Sequence, residues 1–385
     1  MHVERYPYRA SASCDGQVVA ASDSCLCVEA PGADPVLYFP VPDIDEKTVA
    51  ASPDWLVLSD GAPALTGFAA FDQDRVRIEV TDEAEGDEAR DVTVKRFPTW
   101  GDTAHLVDVM DVRPTDEPHS FVTVARSDES RPVVEGSQML GQAIVAAGRH
   151  APDRRVVSAT MMFLRSADAH LPLQLELTEL SAGRTFSGLA VQVLQRARVC
   201  AAGTLLLDVP SDDVVRHAPD APDVPGPYAC EPYDMGVTGR DIRVVDAAYS
   251  NDSEEPPGPP IVDAWVRFRQ LPADQPIHAG LLAQFTGHMS IAAALRPHAG
   301  VGQDQAHRTI SMAINSISLS LHAPVQADEW LLYRHLSTFA GAGTTHAENR
   351  VYDLDGALIA SFSVDAMVRP LPAGAKGPMD GRTAL

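Results

Sequence analysis

Two different periods of apolar and polar positions run along this chain. At 136–152 (GSQMLGQAIVAAGRHAP) and again at 287–300 (GHMSIAAALRPHAG), apolar side chains recur at helical spacing in a background dense in Ala and Gly. Small residues of this kind suit a helix that packs closely against a sheet. Each segment then gives way to strand-like runs. They are 155–164, 171–180, 185–195 and 197–209 in the first half, and 308–321, 329–340, 345–354 and 357–368 in the second. Tight-turn residues such as Asp355-Gly356 separate consecutive strands. The pattern predicts an antiparallel sheet wrapped around one helix, made twice, which is a duplicated α+β unit.

Upstream, residues 1–112 read differently. Short strand-like runs at 36–40 (VLYFP), 67–71 (GFAAF) and 75–80 (RVRIEV) are bounded by turn residues, and no long segment of helical period appears. Three stretches break the pattern. Residues 81–92 form an acidic run that reads as a solvated hairpin loop, and 209–226 and 250–260 are rich in Pro, Asp and Ser. The predicted organisation is therefore a β-rich domain (1–112), a first repeat (113–210), a connection (211–277), a second repeat (278–370) and a frayed tail (371–385).

Composition narrows the function classes. The 385 residues exceed one ordinary domain, and 45% hydrophobic against 22% charged residues allows a sizeable core. The formal charge of −23 repels phosphate backbones and anionic lipid, so neither nucleic acid nor a membrane is an expected partner. An anionic ligand such as a coenzyme A ester would need a local basic patch. Five cysteines at irregular spacing form neither a disulfide framework nor a zinc ribbon, so no metal and no cofactor is expected. The amino-terminal residues lack the apolar core of a signal peptide, and no apolar run approaches 18 residues, which predicts a cytoplasmic protein.

Specific residues extend this reading. GQAIVAAGRHAPDRRVVSA (141–159), FLR (163–165) and LELTELSAGRTFSGLAVQVLQ (175–195) are followed in order by LRPH (295–298), HAPVQADEWLLY (322–333), YDLDGALIAS (352–361) and Arg369. Over about 130–370 the chain thereby resembles the double hot-dog type II acyl-CoA thioesterases. The resemblance implies two antiparallel sheets, each wrapping a central helix. DGQVVAASDS (15–24), VLYFPVPDID (36–45) and GFAAFDQDRVRI (67–78) resemble the small β-rich domain of unknown function 427, a family with no settled chemistry.

The thioesterase resemblance also implies an Asp at the start of the second helix, a Thr or Ser on the next strand and a Gln on the last. In this register they fall on Gly287, Ile314 and Val364. None of these can position or deprotonate water, so the family mechanism is not available to this chain. The remaining candidate chemistry is a helix N-terminus with unpaired N–H groups. Gly136 and Gly287 allow close ligand approach there. Glu135 is a candidate general base, His288 a candidate acid or base, and Asn315 a candidate donor to a carbonyl. Gly136, Gly287, Ile314, Val364 and Met161 are the expected substrate-binding positions.

Three functions follow. The first is an enzyme acting on an acyl or polyketide-like chain, free or on a carrier, diverged from hydrolysis to cyclisation, dehydration or isomerisation. The second is an acyl-CoA thioesterase using relocated residues. The third is a non-catalytic acyl-binding protein. A double hot-dog chain already contains the pairing that single repeats obtain by dimerising, so a monomer or homodimer is expected.

Overall fold

The computed structural model describes residues 2–6, 9–14, 16–29, 36–45, 56–58, 63–72, 75–81, 103–124, 133–233, 240–249, 254–269, 271–306 and 309–371. The acidic run from 82 to 92 and the tail beyond 371 lie outside them. The chain divides into two compact units, Met1–Val92 and Thr93–Leu385.

The first unit contains two antiparallel sheets. One places strands His2–Arg5, Leu26–Glu29, Val36–Pro40, Phe68–Phe71 and Leu56–Leu58 side by side. The other pairs Gln17–Ser22, Arg9–Cys14 and Arg77–Thr81. Alternate residues Ala10 and Ala12 meet Cys25, Cys27, Phe39 and Phe71 in its core. Burial pushes the Cys25 thiol up to about 12, so this position is a packed, protonated thiol.

The second unit opens with a short helix, α1 (Thr103–Met110), which the sequence pattern does not predict. The first repeat then has α2 (Gly136–His150), β1 (Arg155–Phe163), β2 (Gln174–Ala182), β3 (Phe186–Gln195) and β4 (Arg198–Asp208). The second has β5 (Arg240–Val244), β6 (Ile261–Phe268), α3 (Gln275–Phe285), α4 (Ser290–Leu295), β7 (Ile310–Leu321), β8 (Leu331–Gly341), β9 (Thr344–Tyr352) and β10 (Leu358–Pro370). Among the described residues no helix is long and apolar enough to cross a membrane.

Helix α2 forms where the sequence reading expects it. It is buried on every side from Ser137 to Gly148, and Arg149 and His150 in its last turn complement the negative end of the dipole. Its partner differs from expectation. The second central helix begins at Gln275, with Pro276 in its first turn, and not at Gly287. Gly287 instead lies in a break at 286–289, where Met289 takes a left-handed conformation (φ 64°) before α4 resumes. The stretch read as a connection therefore supplies β5, β6 and the start of α3. Helices α2 and α3 cross with Gly141 against Gly280: a Cβ at 141 would run into the Gly280 carbonyl. This is a contact that only glycine permits.

The sequence reading predicts one sheet per helix; the structure has one continuous antiparallel sheet. Its order is 231–232, β5, β6, β8, β9, β10, β7, β1, β4, β3, β2, 120–122 and 113–114. The two repeats fuse where β1 pairs with β7, from Ser158 opposite Ser320 to Met162 opposite Ser316. Along this seam Ala159, Met161, Ile317 and Leu319 are buried, while Thr160 and Ser318 face outward and share a 3.2 Å hydrogen bond. A strand edge left free on each repeat is thereby covered by the other.

Candidate active site between the two repeats

A cavity of about 260 Å³ lies where the N-terminus of α2 meets the α3–α4 break and β7. Both repeats build it. The first contributes Glu135, Gly136, Ser137 and Phe163, and the second Gly287, Ile314 and Asn315.

Glu135 is the N-cap of α2 but makes no capping bond with its side chain. The N–H groups of the first turn therefore lack the side-chain partner an N-cap commonly supplies, and they give this end of the cavity a positive partial charge. The Glu135 carboxylate, 6% exposed, turns instead to the second repeat. Gln284 Nε2 donates to Glu135 Oε2 at 2.8 Å, and His288 Nε2 lies 3.8 Å from the same oxygen. Gln284 Nε2 is also 3.3 Å from His288 Nε2. Buried Arg240 donates to Gln284 Oε1 at 3.2 Å, which fixes the amide so that its nitrogen faces Glu135 and His288. The Arg240 guanidinium lies 5.4 Å from the Phe285 ring centre and 6.0 Å from that of Phe268, a cation–π setting for a buried charge. The result is a buried Arg240–Gln284–Glu135–His288 cluster that meets the cavity through Glu135.

The α3–α4 break creates this geometry. Gly287 and the left-handed Met289 stop the helix and place His288 4.9 Å, ring to ring, from Phe285. Behind it His335 is fully buried, with Nδ1 3.2 Å from Ser290 Oγ and Nε2 without a hydrogen-bond partner among the described residues. Burial, reinforced by neighbouring His288, pushes the His335 pKa down to about 3, so this ring is neutral at physiological pH. Asn315 reaches the cavity by a β-bulge: Ile314 pairs with Ala366 and Ser316 with Asp365, leaving Asn315 as the extra residue.

The structure thus gathers Glu135, Gly136, Gly287, Ile314 and Asn315 around one cavity, with His288 against Glu135. It does not bring Met161 or Val364 there. Each is 1% exposed and packed in the core, because its position in the strand alternation points it inward. Sequence reasoning misses Arg240 and Gln284, which belong to elements concealed by the surrounding Pro-rich stretch. A larger cavity, about 590 Å³, lies at the other end of the helix pair, but its arginines are already engaged. Arg149 pairs with Asp111, Arg154 donates to the Gly183 and Thr185 carbonyls, and Arg155 approaches Asp208.

Two family domains match in order: residues 126–207 match the acyl-CoA thioesterase N-terminal domain and residues 212–367 the acyl-CoA thioesterase C-terminal domain. Residues 126–367 thus carry both halves of an acyl-CoA thioesterase-like double hot-dog. Among curated relatives, acyl-coenzyme A thioesterase 8 of Mus musculus is 26% identical over 267 residues, covering 62% of this chain and 80% of that protein. Acyl-CoA thioesterase 2 of Haemophilus influenzae is 26% identical over 254 residues, covering 61% and 87%. The tesB protein of Mycobacterium avium subsp. paratuberculosis superposes with a TM-score of 0.59 at 21% identity, over 70% of this chain and 100% of that one. The acyl-CoA thioesterase II TesB2 of Mycobacterium marinum gives 0.59 at 21%, over 70% and 99%. These structures share the hot-dog fold.

The thioesterase resemblance implies an acidic residue where this chain has Gly287. A Cβ at 287 would overlap Ser137 Oγ and lie 2.7 Å from Ser137 Cβ. The Ser137 side chain, from the other repeat, thus occupies the space that any side chain at 287 would need.

Proposed function

We propose that this chain hydrolyses an acyl thioester in the cavity between its repeats, using Glu135 in place of the family's polar set. The observation that carries the reading is the Glu135 carboxylate, buried at a helix N-terminus, turned away from capping and held by Gln284 2.8 Å away. Glu135 takes a proton from water, and the hydroxide attacks the thioester carbonyl. The resulting oxyanion is met by the N–H groups of the first turn of α2. Collapse expels the thiolate, which recovers the proton from Glu135. His288 positions the carboxylate from the second repeat, and Asn315 at the bulge supplies a hydrogen bond to the substrate. Phe163, Met312 and Ile314 line the acyl end. Arg165, exposed at the rim, donates to the Val199 carbonyl at 2.7 Å through one nitrogen, and its remaining N–H groups are offered to coenzyme phosphates in a chain of charge −23.

The test is thiol release from acyl-CoAs of short, medium and long chain, against a heat-killed control. Turnover that falls about 10²–10⁴-fold in Glu135→Gln, with the fold intact, is the expected outcome. Turnover unchanged in that variant refutes the assignment. A second reading rests on the apolar residues at 287, 314 and 364: acyl-chain chemistry diverged from hydrolysis to cyclisation, dehydration or isomerisation. Saturable binding of an acyl ligand with no thiol release from any chain length would favour it. The amino-terminal unit, which resembles the domain of unknown function 427 in its sequence runs, is assigned no chemistry.

A further inference from the structure

Independently of that reading, the geometry points to a second site: we propose that His119 and His150 bind a divalent transition-metal ion, Zn²⁺ being the natural fit, with Glu179 orienting His150 from behind. The three residues come from separate elements. His119 ends the turn before strand Ser120–Val122 and has a positive φ of 61°, a conformation uncommon for non-glycine residues and a reason to ask what its ring does there. His150 is the last residue of α2, and Glu179 stands on β2 at a register shift opposite β3. One ligand atom from each can be chosen so that all three lie within 4.8 Å of one another.

The distances carry the assignment. His119 Nδ1 and His150 Nδ1 are 3.3 Å apart. Two nitrogens bound to tetrahedral Zn²⁺ at about 2.0–2.1 Å stand roughly 3.3–3.4 Å apart, so the rings are already spaced as ligands. His150 Nε2 is 3.0 Å from Glu179 Oε1. That bond selects the tautomer with the proton on Nε2 and the lone pair on Nδ1, as in the carboxylate–histidine–metal arrangement. Binding releases or relocates the one proton that lies between the two Nδ1 atoms, and water completes the shell. A cation here also sits at the C-terminus of α2, the negative end of the dipole whose other end lines the cavity. The His119 carbonyl accepts from Leu177 N at 2.9 Å, so the ion would clamp the 115–120 turn, the helix end and β2 together.

The experiment titrates Zn²⁺ into the full-length, tag-free protein against a chromophoric chelator at neutral pH, with thermal melts in Zn²⁺ and in Mg²⁺. Expected are one high-affinity Zn²⁺ per chain, a melting temperature raised by Zn²⁺ and not by Mg²⁺, and affinity that declines on acidification as protons compete for the nitrogens. His119→Ala and His150→Ala should each remove the high-affinity site. Glu179→Gln should weaken it by about 10–100-fold while leaving the stoichiometry at one. Far-UV circular dichroism establishes that each variant is folded. Failure of the wild type to bind Zn²⁺, or wild-type affinity retained in the two histidine variants, overturns the proposal.

Discussion

Ser137 and Gly287 face each other across the two repeats, and their packing can be tested by exchange. Gly287→Ala places a Cβ onto Ser137, whose own Cβ is only 2.7 Å away, so a rotamer change of the serine hydroxyl does not relieve the overlap. Overpacking of a closed site costs about 1–3 kcal/mol. For a unit of this size that corresponds to a melting temperature lower by roughly 2–12 °C. Gly287 does not have a positive φ, so alanine there is otherwise permitted. Once Ser137→Gly has emptied the space, Gly287→Ala should become neutral or raise stability by about 0.4–1 kcal/mol, through the unfolded chain. Denaturant unfolding of wild type, both single variants and the double variant gives the coupling between the sites, expected at about 1–3 kcal/mol. A Gly287→Ala penalty of the same size with Ser or with Gly at 137 would refute the argument. If it holds, introducing an acid by Gly287→Asp alone should yield a destabilised protein without gain of activity, and Ser137→Gly must accompany it.

Other consequences are checked in the same way. Gly141→Ala should lower stability by about 1–3 kcal/mol, and by more than Gly280→Ala. The first Cβ meets a backbone carbonyl, whereas the second meets the movable Val145 side chain at 2.8 Å; the reverse order would contradict the crossing described. His335 is neutral in the fold, with its pKa held near 3, and titrates in the unfolded chain around pH 6.5. Below pH 6.5 the unfolded chain binds a proton that the native state does not, so stability declines with falling pH by up to about 1.4 kcal/mol per pH unit. Urea unfolding between pH 5 and 7 should show a slope shallower by about one proton in His335→Gln, and an unchanged slope would sink this assignment. Arg165→Ala should raise KM for acyl-CoA and leave kcat nearly unchanged, since a rim cation binds ground state and transition state alike. A loss confined to kcat would remove it from the coenzyme-binding role.

Much of this architecture is legible in the sequence because it is periodic. Helix α2 and the long strands of both repeats announce themselves by spacing, and the ordered anchors from Gly141 to Arg369 put Gly287 and Ile314 where the cavity lies. Nonlocal features leave no such trace. Helix α3 is buried on all sides from Ile277 to Phe285, so it shows no amphipathic period, and with Pro276 in its first turn it reads as part of the 211–277 connection. The same stretch conceals β5 and β6, and with them Arg240. Val364 and Met161 show the opposite error: a residue expected at the site from sequence can face the core. The His119, His150 and Glu179 grouping joins residues about thirty positions apart on three elements, and no metal-ligand spacing rule covers it.

The seam between β1 and β7 also bears on how the protein is made. Synthesis completes the first repeat at Asp208, yet the strand that covers the edge of β1 is finished only at Leu321, 113 residues later. At about 5–20 residues per second, a ribosome takes roughly 6–23 s over that interval. For all of it the nascent chain presents the backbone edge of Ser158–Met162, with Met162 beside it, to anything else that offers a strand. Two ribosomes on one message would hold such edges near each other. Exchange of second repeats between neighbouring chains is therefore the misassembly this seam predicts, and slowing translation through 209–310 should raise its frequency.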